Sequence, residues 1–359
     1  MSFESFLGNP KVVSALRDML ETGRVPHALL FTGPDGVGKR TLAIMLAKAL
    51  NCERHRADFC GQCVSCRKAD EMLAATLVDL ARRREIKEPS RRVEGLVNFD
   101  VQLIEPLTRY ILIEQIRRLR NVAYTRPFEL QRRVFIVDQA QAIHWQAIDL
   151  LLKVLEEPPD TTTLILVCPN AYEIRSTLRS RCRGVRFTFV EESILLEVLA
   201  KDDRVPANQR ALVVRLAGGS LVKARSLNLA DFQARRRSWL DYVESLTLKG
   251  ATSASELNWR MLFESAKALT ENREQFEDTL RVGYDLCLDL LRLLEEQPDS
   301  GILNVDIASR LKAWAPQLGL AGIRALKEGL DEAYRLQTRN VNQQIGLEAL
   351  AISMAQVTR

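Results

Sequence analysis

At 359 residues, with 47% hydrophobic and 27% charged residues, the chain is longer than one ordinary core requires and should divide into two or three domains. No apolar run approaches a membrane span, which argues against a helical membrane protein. The net charge of +5 is too small to mark the whole chain as a polyanion binder, and the seven cysteines suit metal ligation or buried thiols better than disulfides.

The first residues, MSFESFLGNPKVV, lack a basic start followed by an apolar core, so a cytoplasmic protein is expected. Up to Phe189, short apolar runs alternate with amphipathic segments, which predicts a parallel sheet covered by helices on both faces. Three runs suit buried parallel strands: HALLFTG (27–33), VFIVD (134–138) and LILVC (164–168). Helices are expected over 39–50, from Leu42, Met45, Leu46 and Leu50, and over 145–155, from Ile148, Leu151, Leu152 and Leu155. Residues 67–99 are charged, contain Pro89, and read as an irregular insertion at the edge of the sheet. Within them Arg82, Arg83, Arg84, Lys87, Arg91 and Arg92 form a basic run, which suits either nucleic acid or a solvated surface. Short helices with an AGGS turn (217–220) suggest a small helical lid, and the helix-period apolar residues of 278–296 and 330–357 suggest an all-helical C-terminal domain.

The chemistry is concentrated in three motifs. GPDGVGKRT (33–41) sits between an expected strand and an expected helix, where Gly33, Gly36 and Gly38 let backbone N–H groups approach phosphate beside Lys39. The usual pattern places Ser or Thr after the lysine to hold Mg²⁺; here Arg40 stands there, with Thr41 one position later. Asp138 closes its strand where it could hold a Mg²⁺-bound water, but Gln139 follows it, and a glutamine cannot accept a proton. A phosphate-binding backbone is therefore expected without hydrolysis, which leaves ATP and Mg²⁺ binding at these residues open. The second motif, Cys52, Cys60, Cys63 and Cys66, has the spacing of a four-thiolate structural Zn²⁺ site, whereas Cys168, Cys182 and Cys287 are scattered and read as packing residues. The third, STLRSRCRGVRF (176–187), presents Arg179, Arg181 and Arg183. By spacing alone, such an arginine is more often a surface ion-pair partner than a finger aimed at a neighbour's γ-phosphate.

In chain order, GRVPHALLFTGPDGVGK, the four cysteines, IEQIRRL (113–119), LLKVLEEPP (151–159) and TLRSRC (177–182) resemble bacterial clamp-loader subunits of the DNA polymerase III holoenzyme, AAA+ proteins of the γ/τ/δ′ group. The likeness is greatest to the δ′ type, and NVNQQIGLEAL (340–350) resembles the end of that family's collar. The resemblance implies an α/β AAA+ P-loop core over 1–189, with a parallel sheet, a zinc module at 52–66 and the insertion at 67–99. It further implies a helical lid at 190–229 and an all-helical collar at 230–359 for oligomerisation. It makes Arg181, between Ser180 and Cys182, an arginine finger acting in trans, and Cys52, Cys60, Cys63 and Cys66 the zinc ligands. Hydrolysing relatives carry Thr after the loop lysine, Glu after the strand aspartate, a polar first sensor and an Arg in the lid's Gly-Ser-Leu motif. This chain has Arg40, Gln139, Cys168-Pro169 and Val222 with Lys223 beside it. The departures imply a stator with no ATPase activity of its own, within the DNA-directed DNA polymerase holoenzyme. Its implied partners are γ/τ-type ATPase subunits and a δ subunit in a hetero-pentameric loader, with the sliding clamp and primed DNA reached through the complex and no membrane. Two alternatives are an active γ/τ-type ATPase subunit that tolerates Arg40 and Gln139, and a zinc-containing DNA-binding module that uses the basic run.

Overall fold

A sheet of five parallel strands is the frame of the first half of the chain: β1 (Ala28–Thr32), β2 (Val101–Ile104), β3 (Arg133–Val137), β4 (Thr162–Cys168) and β5 (Arg183–Arg186), in the order β2-β3-β4-β1-β5. A computed structural model describes residues 2–247, 259–270, 276–295, 301–338 and 344–349. Its helices are α1 (Pro10–Glu21), α2 (Lys39–Ala49), α3 (Val64–Glu85), α4 (Ile113–Ala123), α5 (Ile148–Glu156), α6 (Ser176–Arg179), α7 (Glu192–Ala200), α8 (Arg210–Ala217), α9 (Leu221–Ser226), α10 (Leu229–Thr247), α11 (Trp259–Leu269), α12 (Phe276–Leu294) and α13 (Ala308–Thr338). The chain divides into two units, Met1–Leu195 with Gly219–Val222, and Leu196–Gly218 with Lys223–Arg359. The finer separation of a lid (190–229) from a collar (230–359) is a proposal taken up below. None of the described helices is long and apolar enough to cross a membrane.

Every residue of β1, β3 and β4 is buried, which is why these strands read as unbroken apolar runs. Successive side chains of β1 point to opposite faces: Ala28 and Leu30 join a core with Ile116, Leu119 and Leu151, while the Phe31 ring lies 5.3 Å from that of Phe187. The remaining two strands carry weaker patterns. β2 has only four residues, and β5 is an edge strand whose Arg-Gly-Val-Arg sequence exposes all but Val185.

The segment 67–99 differs from expectation. It is mainly one long helix, because α3 runs through to Glu85 with Cys66, Ala69, Met72, Leu73, Thr76, Leu80 and Arg83 on its buried side. These positions recur every three or four residues, but Thr76 and Arg83 occupy two of them and mask the stripe.

A buried ion pair ties β2, β3 and α4 together. Arg133 and Asp100 have fully buried side chains and meet at 3.0 Å. Asp100 also accepts N–H bonds from Phe128 (2.8 Å), Glu129 (2.7 Å) and Leu130 (3.1 Å), while Arg133 donates to the carbonyls of Val122, Thr125 and Arg126. Burial alone would raise the Asp100 pKa, but the three N–H groups and the guanidinium outweigh it and hold the carboxyl below its ordinary range.

The second unit is helical among its described residues. Its core gathers Trp239, Tyr242, Leu280, Leu286, Leu290, Leu311, Leu326 and Leu330 from α10, α12 and α13, with the Trp239 indole N–H donating to the Thr279 carbonyl at 2.7 Å. The expected helices over 278–296 and 330–357 fall on α12, on the end of α13 and on a helical stretch at 344–349. The remainder of 330–357, including much of NVNQQIGLEAL, lies outside the described residues.

Asp100→Asn leaves Arg133 buried without its counter-charge and should cost roughly 3 kcal/mol at neutral pH. An unfolded aspartate titrates near pH 3.9. A depressed native pKa therefore stabilises fully above about pH 4 and progressively less as the pH falls through the native value. Urea midpoints of the native and variant chains should converge below about pH 4, whereas a gap independent of pH would rule out this account.

Candidate functional site

The turn after β1 lies beside the carboxyl ends of β3 and β4, where an open α/β sheet leaves a crevice. Gly33, Gly36 and Gly38 have φ values of 140°, 77° and 94°, a region that side-chain-bearing residues rarely adopt. Space excludes a side chain as well: a Cβ on Gly36 would lie 2.0 Å from Ser220 Oγ, and one on Gly38 2.8 Å from the Phe6 ring. The Gly33 N–H anchors the turn to the Pro169 carbonyl at 3.0 Å, and the Val222 N–H reaches the Gly36 carbonyl at 3.3 Å. Gly38 then opens α2 without a side-chain cap, so the first N–H groups of the helix face a cavity of about 400 Å³. Lys39, Thr41, Asp138, Gln139, Cys168 and Val222 are among its lining residues.

Lys39 is only 7% exposed, and its ammonium donates to the carbonyls of Gly33 and Pro34, the latter at 2.7 Å. Arg40 turns toward the strand ends, where its Nη1 pairs with Glu105 Oε1 and lies 3.7 Å from Asp138 Oδ2. The other Glu105 oxygen accepts Arg84 Nη2 at 2.6 Å, and the Glu105 side chain is 5% exposed. Burial pushes the Asp138 carboxyl up, an effect opposed by the Gln139 N–H and the Arg40 charge. Gln139 is exposed and takes a left-handed backbone with φ 53°. The residues fit a phosphate group, for which glycine backbone and lysine converge. They do not fit a magnesium ion, because a guanidinium takes the place of the ligating hydroxyl and already contacts the aspartate.

Glu105 was absent from the candidates read from sequence. One signal could have found it: Glu105 follows the apolar β2 run as Asp138 follows β3, and parallel neighbours in register bring such positions together.

The four sulfur atoms of Cys52, Cys60, Cys63 and Cys66 lie within 4.8 Å of one another. A tetrahedral Zn²⁺ with Zn–S bonds near 2.3 Å separates its sulfurs by about 3.8 Å, so the cluster fits such an ion after a small contraction. Backbone N–H groups of Cys60 and Cys63 point at the sulfurs of Cys52 (3.4 Å) and Cys60 (3.2 Å). The Gln62 N–H leads in lowering the Cys60 thiol to about 6, whereas burial raises that of Cys66. Cys168 and Cys287 are buried, consistent with packing roles.

Arg181 is 38% exposed, paired with Glu156 at 2.8 Å and donating to the Thr177 carbonyl at 3.0 Å. Most of the basic run is paired with groups of the same chain, although only Arg83 is buried. Arg83 is buried and donates to the carbonyls of Arg92, Glu94 and Gly95; Arg84 holds Glu105, Arg92 reaches the Ile86 and Leu107 carbonyls, and Arg82 and Arg91 pair with Asp79 and Glu88.

The family model described as DNA polymerase III, delta subunit, matches residues 8–191. The chain belongs to this family. Among its curated relatives, the DNA polymerase III subunit gamma/tau of Mycobacterium tuberculosis is 27% identical over 351 residues, covering 91% of this chain and 56% of the relative. The DNA polymerase III subunit tau of Escherichia coli is 32% identical over 233 residues, covering 63% of this chain and 32% of the relative. The gamma subunit of Buchnera aphidicola is 26% identical over 198 residues, covering 55% and 48%. This delta-subunit family member thus spans about half the length of the curated relatives it matches first. A gamma-subunit-related protein of Thermotoga maritima superimposes at a TM-score of 0.43 with 17% identity, covering 97% of this chain and 99% of its own, a likeness that carries no argument.

Glu105→Gln should leave Arg40 and Arg84 sharing a neutral amide and destabilise the first unit by roughly 2 to 3 kcal/mol. A urea denaturation midpoint equal to that of the native chain would show that the pairs contribute nothing.

Proposed function

We propose that this delta-subunit family member is a δ′-type stator of the DNA polymerase III clamp loader: it keeps the phosphate loop, does not hydrolyse ATP itself, and lends Arg181 to a neighbouring ATPase subunit. The observation that carries the reading is Arg40 paired with Glu105 beside Asp138, because the carboxylate that would serve a metal already faces a guanidinium. Gln139 supports the same reading, since its amide cannot take a proton from water at the position after the strand aspartate. Val222 lines the cavity where hydrolysing relatives carry an arginine.

Arg181 suits a role in trans. It is partly exposed, and its bonds to Glu156 and Thr177 hold the guanidinium ready at little conformational cost. A positioned guanidinium neutralises charge developing on a γ-phosphate and requires no nucleotide on its own subunit. Under this reading residues 190–229 form the lid and 230–359 the collar that joins γ/τ-type and δ subunits in the cytoplasm, with the clamp and primed DNA reached through the assembly. Cys52, Cys60, Cys63 and Cys66 hold a structural Zn²⁺ that staples the end of α2 to the start of α3.

The names of the curated relatives favour a second reading, an ATP-hydrolysing γ/τ-type subunit. ATP turnover by a loader reconstituted with clamp and primed DNA separates the two. The stator reading expects Arg181→Ala to lower turnover by about 10³-fold while Lys39→Ala changes it less than about two-fold. The opposite pattern would make this chain an ATPase. A DNA-binding role for the basic run has less support, since most of its arginines are paired with groups of the same chain.

For the metal, protein purified without chelator should contain zinc in stoichiometric amount, and Cys63→Ser should lose it together with several degrees of thermal stability. Zinc-free native protein with an unchanged melting temperature would remove the metal from the account.

A further inference from the structure

We propose that Arg40 is a built-in replacement for the divalent cation, so that the loop takes the phosphate chain of a nucleoside triphosphate without magnesium. The proposal rests on the loop having kept its phosphate cradle, and goes beyond the stator reading, which leaves the occupancy of the loop open.

The charges around the strand ends support it. Two carboxylates, Glu105 and Asp138, stand at the ends of adjacent strands, and the strand-end aspartate is the one that in a P-loop site helps to hold a hydrated cation. Here two guanidiniums answer them: Arg84 takes one oxygen of Glu105, and Arg40 takes the other and approaches Asp138 at 3.7 Å. The cluster is formally neutral without any metal. A divalent ion would add two positive charges to a balanced set and would have to displace a guanidinium from a carboxylate only 5% exposed.

The phosphate side is otherwise intact. The three glycines hold the turn open, α2 begins with uncapped N–H groups, and Lys39 lies on the loop carbonyls within reach of a ligand in the cavity. Arg40 begins in the first turn of the same helix and is 36% exposed, so its guanidinium borders the cavity that Lys39 also lines. A guanidinium in this place has N–H groups to offer phosphate oxygens but brings no bound water and no change of coordination, and so suits holding a nucleotide better than cleaving it. The ligand chemistry is a polyphosphate, and the adenine or guanine base is not specified by these residues.

The test is direct binding of ATP to the purified full-length chain, with EDTA and then with excess magnesium, read by calorimetry and by the shift in melting temperature. The native chain should bind with affinities that agree within about three-fold in the two conditions, and Lys39→Ala should abolish the signal in both. Arg40→Thr restores the hydroxyl and frees Asp138, so its binding should become at least about ten-fold tighter with magnesium than with EDTA. Arg40→Lys keeps the charge and should stay insensitive to magnesium, which guards against a threonine variant that fails to fold. Native binding that strengthens ten-fold with magnesium, or absence of ATP binding in both conditions, overturns the proposal. Either result leaves the trans role of Arg181 standing, because that is read from turnover in the assembled loader.

Discussion

The arrangement at the carboxyl edge of the sheet depends on one charge cluster, Arg40 and Arg84 against Glu105 and Asp138. Buried carboxylates must be neutralised by a metal, a proton or a basic side chain, and each choice gives a different site. A metal would leave an exchangeable position for water. Two guanidiniums give a fixed arrangement with no open coordination, so the loop can keep its shape without a metal.

The glycine cradle survives for a different reason. Gly33, Gly36 and Gly38 are held by positive φ and by contacts with Phe187, Ser220 and Phe6, so their replacement would disturb packing whether or not a nucleotide ever binds. Retention of the loop is therefore weak evidence for catalysis, and the residues that follow the glycines are more informative. Arg40 and Gln139 both lack the chemistry of hydrolysis, yet both sit in well-made local structure: a paired guanidinium and a left-handed residue whose N–H bonds to Asp138 at 3.0 Å.

Away from the loop, the segment that reads in sequence as a charged, irregular insertion is a structural part of the first unit. α3 starts within the cysteine cluster and ends in Arg83 and Arg84, one holding the carbonyls of the following turn and the other reaching Glu105. The cysteine cluster, the helix and the cavity edge thus form a continuous chain of contacts. Only Arg83 of the basic run is buried; the other arginines stay at the surface, with heads that find carbonyls or carboxylates of the same chain.

Local sequence determined the three central strands, the glycine turn, helix α2 and the grouping of four cysteines. Each follows from short-range properties: unbroken apolar runs, the conformational freedom of glycine, helical periodicity and ligand spacing. Arg40, Gln139 and Val222 could also be recognised in sequence as departures from a hydrolysing site. Only the tertiary structure decided what Arg40 does, because its partner Glu105 is 65 residues away and is brought to it by the pairing of β2 with β3. The same holds for β5, whose arginines give no apolar signal and whose pairing with β1 is made by backbone groups, and for α3, whose buried face includes Thr76 and an Arg83 hydrogen-bonded through all three of its nitrogens. In each case the deciding interaction is a long-range pairing of backbone or charge, which hydrophobic periodicity does not record.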